Sequence, residues 1–349
     1  MNPRTSGLPP REGSQRTAKG RPQNKRKKSK GRKWLRVLLI LVIVAVLAVG
    51  AYLGNLYLTL NRVIDDAGTS NTVPAEKSAK VKPLTVLLMG TDYRPETKTH
   101  LTDVIMVVAF NPETKSATIV SLPRDTRFKA KGYGTGKINS FYPNILADTK
   151  DPIKAGDTMK KLMGDYFDLP IDYVTILNFQ GFRDVVDALN GVDVNVDMNM
   201  CYRDRADGTD INLKKGPAHL NGKDALDYVR YRKSNCKPKT KGSDDFDRNR
   251  RQNEVLHALI DQAKSINGVM GAADVIKAVG KNMETDFESQ QLKDMIATYW
   301  NISKDNVHFM PVTGEWKSPY VYINDDQLEK AKKALQDEMA GKVTQAVTN

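Results

Sequence analysis

Hydrophobic positions fall into three regimes along the chain. Residues 1–33 carry almost none, Val37 to Gly54 is an unbroken run of 18 apolar, Gly or Tyr residues, and from Leu84 onward short apolar runs alternate with polar, periodic stretches. An 18-residue helix rises about 27 Å, and Leu56 to Leu60 extend it towards the roughly 30 Å of a hydrocarbon core. The run is longer than the apolar region of a signal peptide, about 7–15 residues. Residues 34–58 are therefore predicted to form an uncleaved N-terminal transmembrane helix. A disordered tail, 1–33, precedes it, and a stalk, 59–82, follows, where Gly68, Thr69, Ser70, Asn71, Thr72 and Pro74 oppose regular structure.

The later pattern is that of a folded domain. Leu84 to Met89, bounded by Pro83 and Gly90, reads as a buried strand. Val104 to Phe110 and Ala117 to Leu122 read the same way, joined by a hairpin-like turn at Asn111 to Lys115. Tyr173 to Leu177 and the alternating Val192 to Val196 add strands. Between them Phe179 to Leu189 has Val185, Val186 and Leu189 on one helical face and Gly191 as its stop. Helices are further predicted over Gly222 to Tyr231, Arg248 to Ile266 (N-capped by Asp244, Asp245 or Asp247), 268–280, 289–299 and Asp325 to Met339, with a strand over Val307 to Val312. This order argues for an α/β (α+β) fold, a mixed central β-sheet flanked by helices, with a main folded domain over 83–266 and a helical or α+β extension over 267–349.

Charge changes the picture by its placement. The net charge is +13, yet residues 1–36 hold thirteen Lys or Arg against one acid, Glu12, so the rest is close to neutral. A neutral folded part excludes a phosphate-tracking nucleic-acid binder. The basic flank instead sets orientation: the tail lies in the cytoplasm and everything after Leu60 lies outside a cell membrane crossed once. Both cysteines, Cys201 and Cys236, fall in that exterior part, where disulfides persist. The polar stretch Lys233 to Ser243 offers Cys236 little burial, which favours a bridge over two free thiols; closing such a loop stabilises by roughly 3–4 kcal/mol.

Several chemistries are absent. The four histidines lack metal-ligand spacing, no G-x-S-x-G occurs, and Gly132 to Lys137 departs from a phosphate loop because Lys131 stands where Gly is required and Ile138 where Ser or Thr is required. What remains is acids at strand ends and a concentration of arginines. Asp92 follows the first strand and Asp103 precedes the second, so antiparallel pairing brings both to one sheet edge, a donor pair suited to magnesium (or manganese) with substrate phosphates. Turn or capping residues are the bland alternative for these acids. Arg124 follows the third strand, and Arg230, Arg232, Arg248, Arg250 and Arg251 cluster later; Arg248 and Gln252 share a helix face while Arg250 points elsewhere. Converging guanidinium forks suit a multiply charged phosphate ligand, against the alternative of a solvated basic surface.

In this order, Leu87-Leu88-Met89-Gly90-Thr91-Asp92-Tyr93-Arg94, Thr102-Asp103, Ser121-Leu122-Pro123-Arg124-Asp125-Thr126, Lys137-Ile138-Asn139, Gly191-Val192-Asp193-Val194, Leu220-Asn221-Gly222, Tyr228-Val229-Arg230-Tyr231-Arg232 and Arg248 to Gln252 resemble the LytR-CpsA-Psr family of membrane-anchored cell-wall enzymes. The resemblance implies magnesium-dependent transfer of a glycopolymer, whether teichoic acid, capsule or another wall glycan, from a polyprenyl-pyrophosphate carrier to a peptidoglycan hydroxyl in a Gram-positive envelope. It implies metal binding by Asp92 and Asp103, a catalytic set of Asp92, Asp103 and Arg124, and pyrophosphate binding by Arg94, Arg124, Lys137, Arg230, Arg232, Arg248 and Gln252. The chain departs from the family pattern at Leu101-Thr102-Asp103-Val104, where Arg-Ser-Asp-Thr is usual, and at Asp247, where Gly is usual. Competing expectations are a polyprenyl-pyrophosphate hydrolase, a non-catalytic lipid or polymer anchor, and a membrane-bound transcriptional regulator.

Overall fold

The apolar runs become a meander: β1 (Leu84–Arg94), β2 (Thr99–Asn111) and β3 (Ser116–Ser121) pair antiparallel in sequence. The protein is represented by a computed structural model that describes residues 50–342 apart from 53, 60, 67, 70–71, 95–98 and 205–207. A small hairpin, β4 (Arg127–Ala130) and β5 (Gly134–Lys137), leads to helices α1 (Phe141–Thr149) and α2 (Pro152–Phe167). Asp151 caps α2 by accepting from the backbone N–H groups of Ile153 and Lys154, with Pro152 at the first helical position. β6 (Tyr173–Asn178) then pairs parallel with β1.

α3 (Phe179–Ala188) starts directly after β6, capped by Asn178. It ends where Gly191 adopts φ +86°, and a Cβ there would also approach His219 Nε2 to 2.5 Å. β7 (Val192–Val196), β8 (Met200–Asp204), β9 (Thr209–Leu213) and β10 (Gly216–Leu220) nest one hairpin inside another, β8 with β9 and β7 with β10. Then come α4 (Gly222–Arg230), α5 (Asp245–Ala263), α6 (Ile266–Asn282), β11 (Met283–Thr285), α7 (Ser289–Tyr299), β12 (Val307–Pro311), the hairpin β13 (Gly314–Lys317) and β14 (Tyr320–Ile323), and α8 (Asp325–Met339). Asp244 caps α5 in a reciprocal box with Asp247.

The central sheet runs β11-β6-β1-β2-β3-β12, so residues beyond 266 supply both of its edges. Side-chain alternation gives it two apolar faces. Leu87, Met89, Ile105, Val107 and Ala109 face a closed core filled by Phe141, Met159, Met163 and Phe167 of α1 and α2 and by Ala331 and Leu335 of α8. Met106, Val108, Ala117 and Ile119 face the other way, towards Leu256 and Ile260 of α5. A separate core joins α3, α4 and the nested hairpins around Val186, Val194, Tyr228 and Val255.

The stalk region differs from its expectation. Within the expected stalk, 59–82, residues 59 and 61–66 are helical and the chain turns through a 3-10 helix at Ala75–Lys77, with Ile64 and Ala79 buried. Ser78 Oγ donates to Asp294 Oδ2 (2.5 Å) and Gln291 Oε1 accepts from Ala79 N–H (3.0 Å), contacts to α7 from more than 200 positions away that no local pattern encodes. The tail and most of the span expected at 34–58 lie outside the described residues. Among the described residues no helix is long and apolar enough to cross a membrane.

Candidate active site

A one-residue irregularity aims the key acid. β1 pairs Gly90 with Val104 and then Thr91 with Thr102, which leaves Asp103 as an extra residue on β2. By strict alternation Asp103 shares a side with Ile105 and Val107 and so faces the closed core. The bulge turns it over, and both Asp103 and Val104 line the opposite side of the sheet. Asp92, two residues after Gly90 on β1, meets Arg230 there: Arg230 Nη2 donates to Asp92 Oδ2 at 3.3 Å. Arg124 Nη1 donates to Asp103 Oδ1 at 2.5 Å.

Behind these acids lies a cavity of about 400 Å³ between the sheet and helices α3, α4 and α5. Its walls are hydrocarbon: Leu88, Met106, Val108 and Ile119 from the sheet, Val185 and Leu226 from α3 and α4, Leu256 and Ile260 from α5. Polar groups gather only at its rim, as Asp103, Asn178, Arg230, Arg248 and Gln252. Arg230 ends α4 and stacks over the Phe179 ring, its guanidinium carbon 4.7 Å from the centroid. α4 reaches that place because Gly222 lies against Arg183 of α3, where a Cβ would come within 2.2 Å of the Arg183 carbonyl oxygen. Arg248, 5% exposed, stands in the first turn of α5 with Gln252 one turn on, the shared face that their spacing predicts.

The remaining basic residues divide. Lys137 and Arg232 belong to a second cavity, on the far side of Arg124, where Asp125 accepts from Lys137 Nζ (2.8 Å) and lies 3.9 Å from Arg124 Nε and 4.0 Å from Arg232 Nη2. Arg250 and Arg251 turn away from both cavities to Asp197. The fully buried Arg251 makes a two-pronged contact, Nε to Oδ1 at 2.9 Å and Nη2 to Oδ2 at 3.0 Å, and Arg250 adds 2.6 Å. Burial alone would raise the Asp197 carboxyl; the two guanidiniums outweigh it and hold it below the ordinary carboxylate value. Arg94 ends β1, and its side chain lies outside the described residues. Cys201 on β8 and Cys236 form a disulfide, Cα atoms 5.8 Å apart.

Around the acids Asp92, Asp103 and Asp125 stand the cations Arg124, Lys137, Arg230, Arg232 and Arg248, so the two cavities together keep a positive excess. An apolar hole with a positive rim fits an amphiphile with a hydrocarbon tail and a polyanionic head. The carboxylate donors fit magnesium, which takes one or two carboxylates and completes its shell with waters and substrate phosphates. Among the described residues no group of three or more His, Cys, Asp or Glu gathers into an all-protein metal cage. The apolar cavity itself was not resolvable to residues from sequence, because its wall comes from eight elements scattered over 88–307.

The profile of the LytR_cpsA_psr family matches residues 54–337. A Bacillus subtilis (strain 168) relative named polyisoprenyl-teichoic acid–peptidoglycan teichoic acid transferase TagT is 30% identical over 337 residues, 91% of this chain and 98% of its own. A Bacillus mycoides relative with the same activity in its name, TagU, is 33% identical over 264 residues, 73% of this chain and 80% of its own. A solved structure described as TagT bound to LI-WTA superposes with a TM-score of 0.54 at 29% identity, covering 77% of this chain and 100% of that one. Match length, identity and shared mixed α/β architecture agree: the chain belongs to the LytR-CpsA-Psr family.

Proposed function

We propose that this chain is a transferase that moves a phosphate-linked glycopolymer from a polyprenyl-pyrophosphate carrier to a hydroxyl of peptidoglycan, at the outer face of the membrane that anchors it. The observation that carries this reading is an apolar cavity of about 400 Å³ opening onto Arg230, Arg248, Asp103 and Gln252. The names of the transferase relatives and the teichoic acid precursor bound in the TagT structure support the same substrate class.

The polyprenyl chain enters the cavity tail first, with desolvation of its hydrocarbon as the driving force. Arg124, Lys137, Arg230, Arg232 and Arg248 take the pyrophosphate oxygens, with Gln252 as a neutral donor, and thereby neutralise charge that shifts towards the leaving group. The acceptor hydroxyl oxygen bonds to the sugar-linked phosphorus, the bond from that phosphorus to the bridging oxygen breaks, polyprenyl phosphate departs with the electron pair, and the hydroxyl proton passes to solvent. Asp92 and Asp103 would hold magnesium, which would supply further charge neutralisation at the pyrophosphate. In such a reaction positioning and electrostatics do most of the work, which suits a site without a nucleophilic Ser or Cys. Arg124 and Arg230 in turn hold the two carboxylates in place through the 2.5 Å and 3.3 Å contacts.

Full-length protein in detergent, given magnesium, a polyprenyl-pyrophosphate saccharide and peptidoglycan oligomers, is expected to yield a covalent phosphodiester conjugate. Free saccharide phosphate without conjugate would identify a lipid pyrophosphatase instead, and donor binding with no turnover a passive anchor.

A further inference from the structure

The loop that joins α4 to α5 starts at the site and carries charge away from it. Arg232 lines the second cavity, and from Arg232 to Lys241 the chain holds five cations and no acid, in a folded part that is otherwise close to neutral. Such a stretch repels itself, yet the fold ties it down on several sides. Cys236 is crosslinked to Cys201 of β8, and Asn235 bonds Arg203 twice, accepting from its N–H (2.9 Å) and donating to its carbonyl (2.6 Å). Thr240 Oγ1 accepts from Cys201 N–H (3.2 Å), and the hydroxyl of the buried Tyr231 donates to the Lys241 carbonyl (2.7 Å). At the neck of the loop Ser243 N–H donates to the Arg232 carbonyl (2.8 Å). Lys233 and Lys241 therefore flank the backbone of Arg232.

Beside the loop lies a third cavity of about 620 Å³, lined by Lys239, Thr240 and Lys241 of the loop, by Lys215 from the turn between β9 and β10, and by Met198 and Asn199. Its two acids are already engaged: Asp197 accepts from Arg250 and Arg251, and Asp247 lies 3.4 Å from Arg250 Nη2. Among the described residues Lys215, Lys233, Lys237, Lys239 and Lys241 have no acidic partner. A concave surface with uncompensated charge of one sign concentrates counter-charge. No aromatic ring lines it, so a neutral sugar finds no stacking face there.

We propose that this loop and cavity form a polyanion subsite that takes the phosphate-bearing repeats of the donor glycopolymer and favours anionic polymers over neutral ones. This rests on the transferase reading. The polymer continues from the pyrophosphate that Arg232 and its neighbours hold, and the neck of the loop sets the next cations beside Arg232. Each phosphodiester repeat keeps a negative charge. A single exposed lysine contact is weak, but several contacts along one chain add, because the chain does not release them all at once. The crosslink at Cys236 keeps the cations together while the cavity is empty.

The probe is a soluble oligomer of glycerol phosphate with neither lipid nor pyrophosphate, bound at equilibrium to the full-length protein in detergent. The triple variant Lys237→Gln, Lys239→Gln, Lys241→Gln should bind it about tenfold more weakly, the scale of three exposed ion pairs, and with a shallower salt dependence. Removing the same charge elsewhere, by Lys115→Gln, Lys150→Gln and Lys330→Gln, should leave binding unchanged. In turnover the first triple should raise KM for a donor with several phosphate repeats and not for one with a single neutral saccharide. Equal losses in the two triples, unchanged oligomer binding, or a loss confined to peptidoglycan oligomers or to vesicles of anionic lipid would overturn the subsite. Failure of the unmodified protein to form any conjugate would overturn the transferase reading instead, and the oligomer binding would still decide whether the loop holds a polyanion.

Discussion

The two faces of the central sheet are made from the same strands and nearly the same residues, yet they do opposite things. On one, Leu87, Met89, Ile105 and Val107 are 0–1% exposed and covered by close-fitting side chains of α1, α2 and α8. On the other, Leu88, Met106, Val108 and Ile119 border a cavity of about 400 Å³. A continuous apolar run therefore states that both faces avoid water, not that both are filled by the protein's own atoms. The open face is the one on which the acids and arginines of the candidate site gather, and the bulge at Asp103 is the local device that transfers an acid to it.

Variants at paired positions can break this comparison. The largest effect is expected at the rim. Asp103→Ala should reduce transfer by at least about 10²–10³-fold, the scale of losing one preorganised electrostatic contact, with an unfolding midpoint close to that of the unmodified protein. Magnesium-dependent transfer at the original rate would remove Asp103 from the site. Asp197→Ala should do the reverse, because it strands the fully buried Arg251 without its partner. A loss of roughly 3–5 kcal/mol in urea unfolding is expected, with the chemistry affected only through folding.

Next come matched enlargements on the two faces. Ala109→Leu, on the closed face, should cost about 1–3 kcal/mol through overpacking. Ala117→Leu, whose methyl borders the cavity, should cost less than about 0.5 kcal/mol, since surplus volume already exists there, while lowering affinity for a polyprenyl-pyrophosphate donor. Equal destabilisation by the two would mean that the cavity closes in solution. The smallest effect is a pH dependence. Because Asp197 titrates below its ordinary value of 3.8, its ion pair contributes stability that is fully present above that value and lost as pH falls through the depressed one. Acid unfolding of an Asp197→Asn variant should therefore show a shallower pH dependence below about pH 4, and an unchanged slope would remove the pair from the acid response.

Much of the frame was legible in periodicity. β3, β6 and β7 match the apolar runs to within a residue, β1 and β2 contain theirs and extend five residues further, to Arg94 and from Thr99, and α8 spans Asp325–Met339 as its pattern predicts. Helices α1 and α2 went unread, although Asp151-Pro152 is a start signal and Ala155, Met159, Leu162 and Met163 share one buried face. Pro143, Gly156 and Gly164 break up the run, and Gly156 is there because β6 is close, with Val174 Cγ1 2.9 Å from where a Cβ would sit. The acids and arginines of the site were legible as residue types, although Asp92 and Asp103, expected just outside the first two strands, lie within β1 and β2 because the pairing runs on past the apolar core of each strand. Their division into two cavities was not, since it depends on a bulge and on a hairpin nearly 200 positions beyond Asp125. Lys137 and Arg232, which the resemblance gives as pyrophosphate ligands, stand beside Asp125 in the second cavity.

The origin of the sheet's outer strands has a consequence for the order in which the molecule can be built. β6, β1, β2 and β3 are synthesised first, but the strands that cover their two free edges, β11 and β12, lie at Met283–Thr285 and Val307–Pro311. A chain made from its N-terminus carries the β6 edge uncovered until synthesis has passed residue 285 and the β3 edge uncovered until it has passed residue 311. During that interval, or permanently in a chain interrupted before it, unpaired backbone N–H and C=O groups flank an apolar sheet and can template pairing with another molecule. The C-terminal third thus acts as the stop that limits the sheet to six strands.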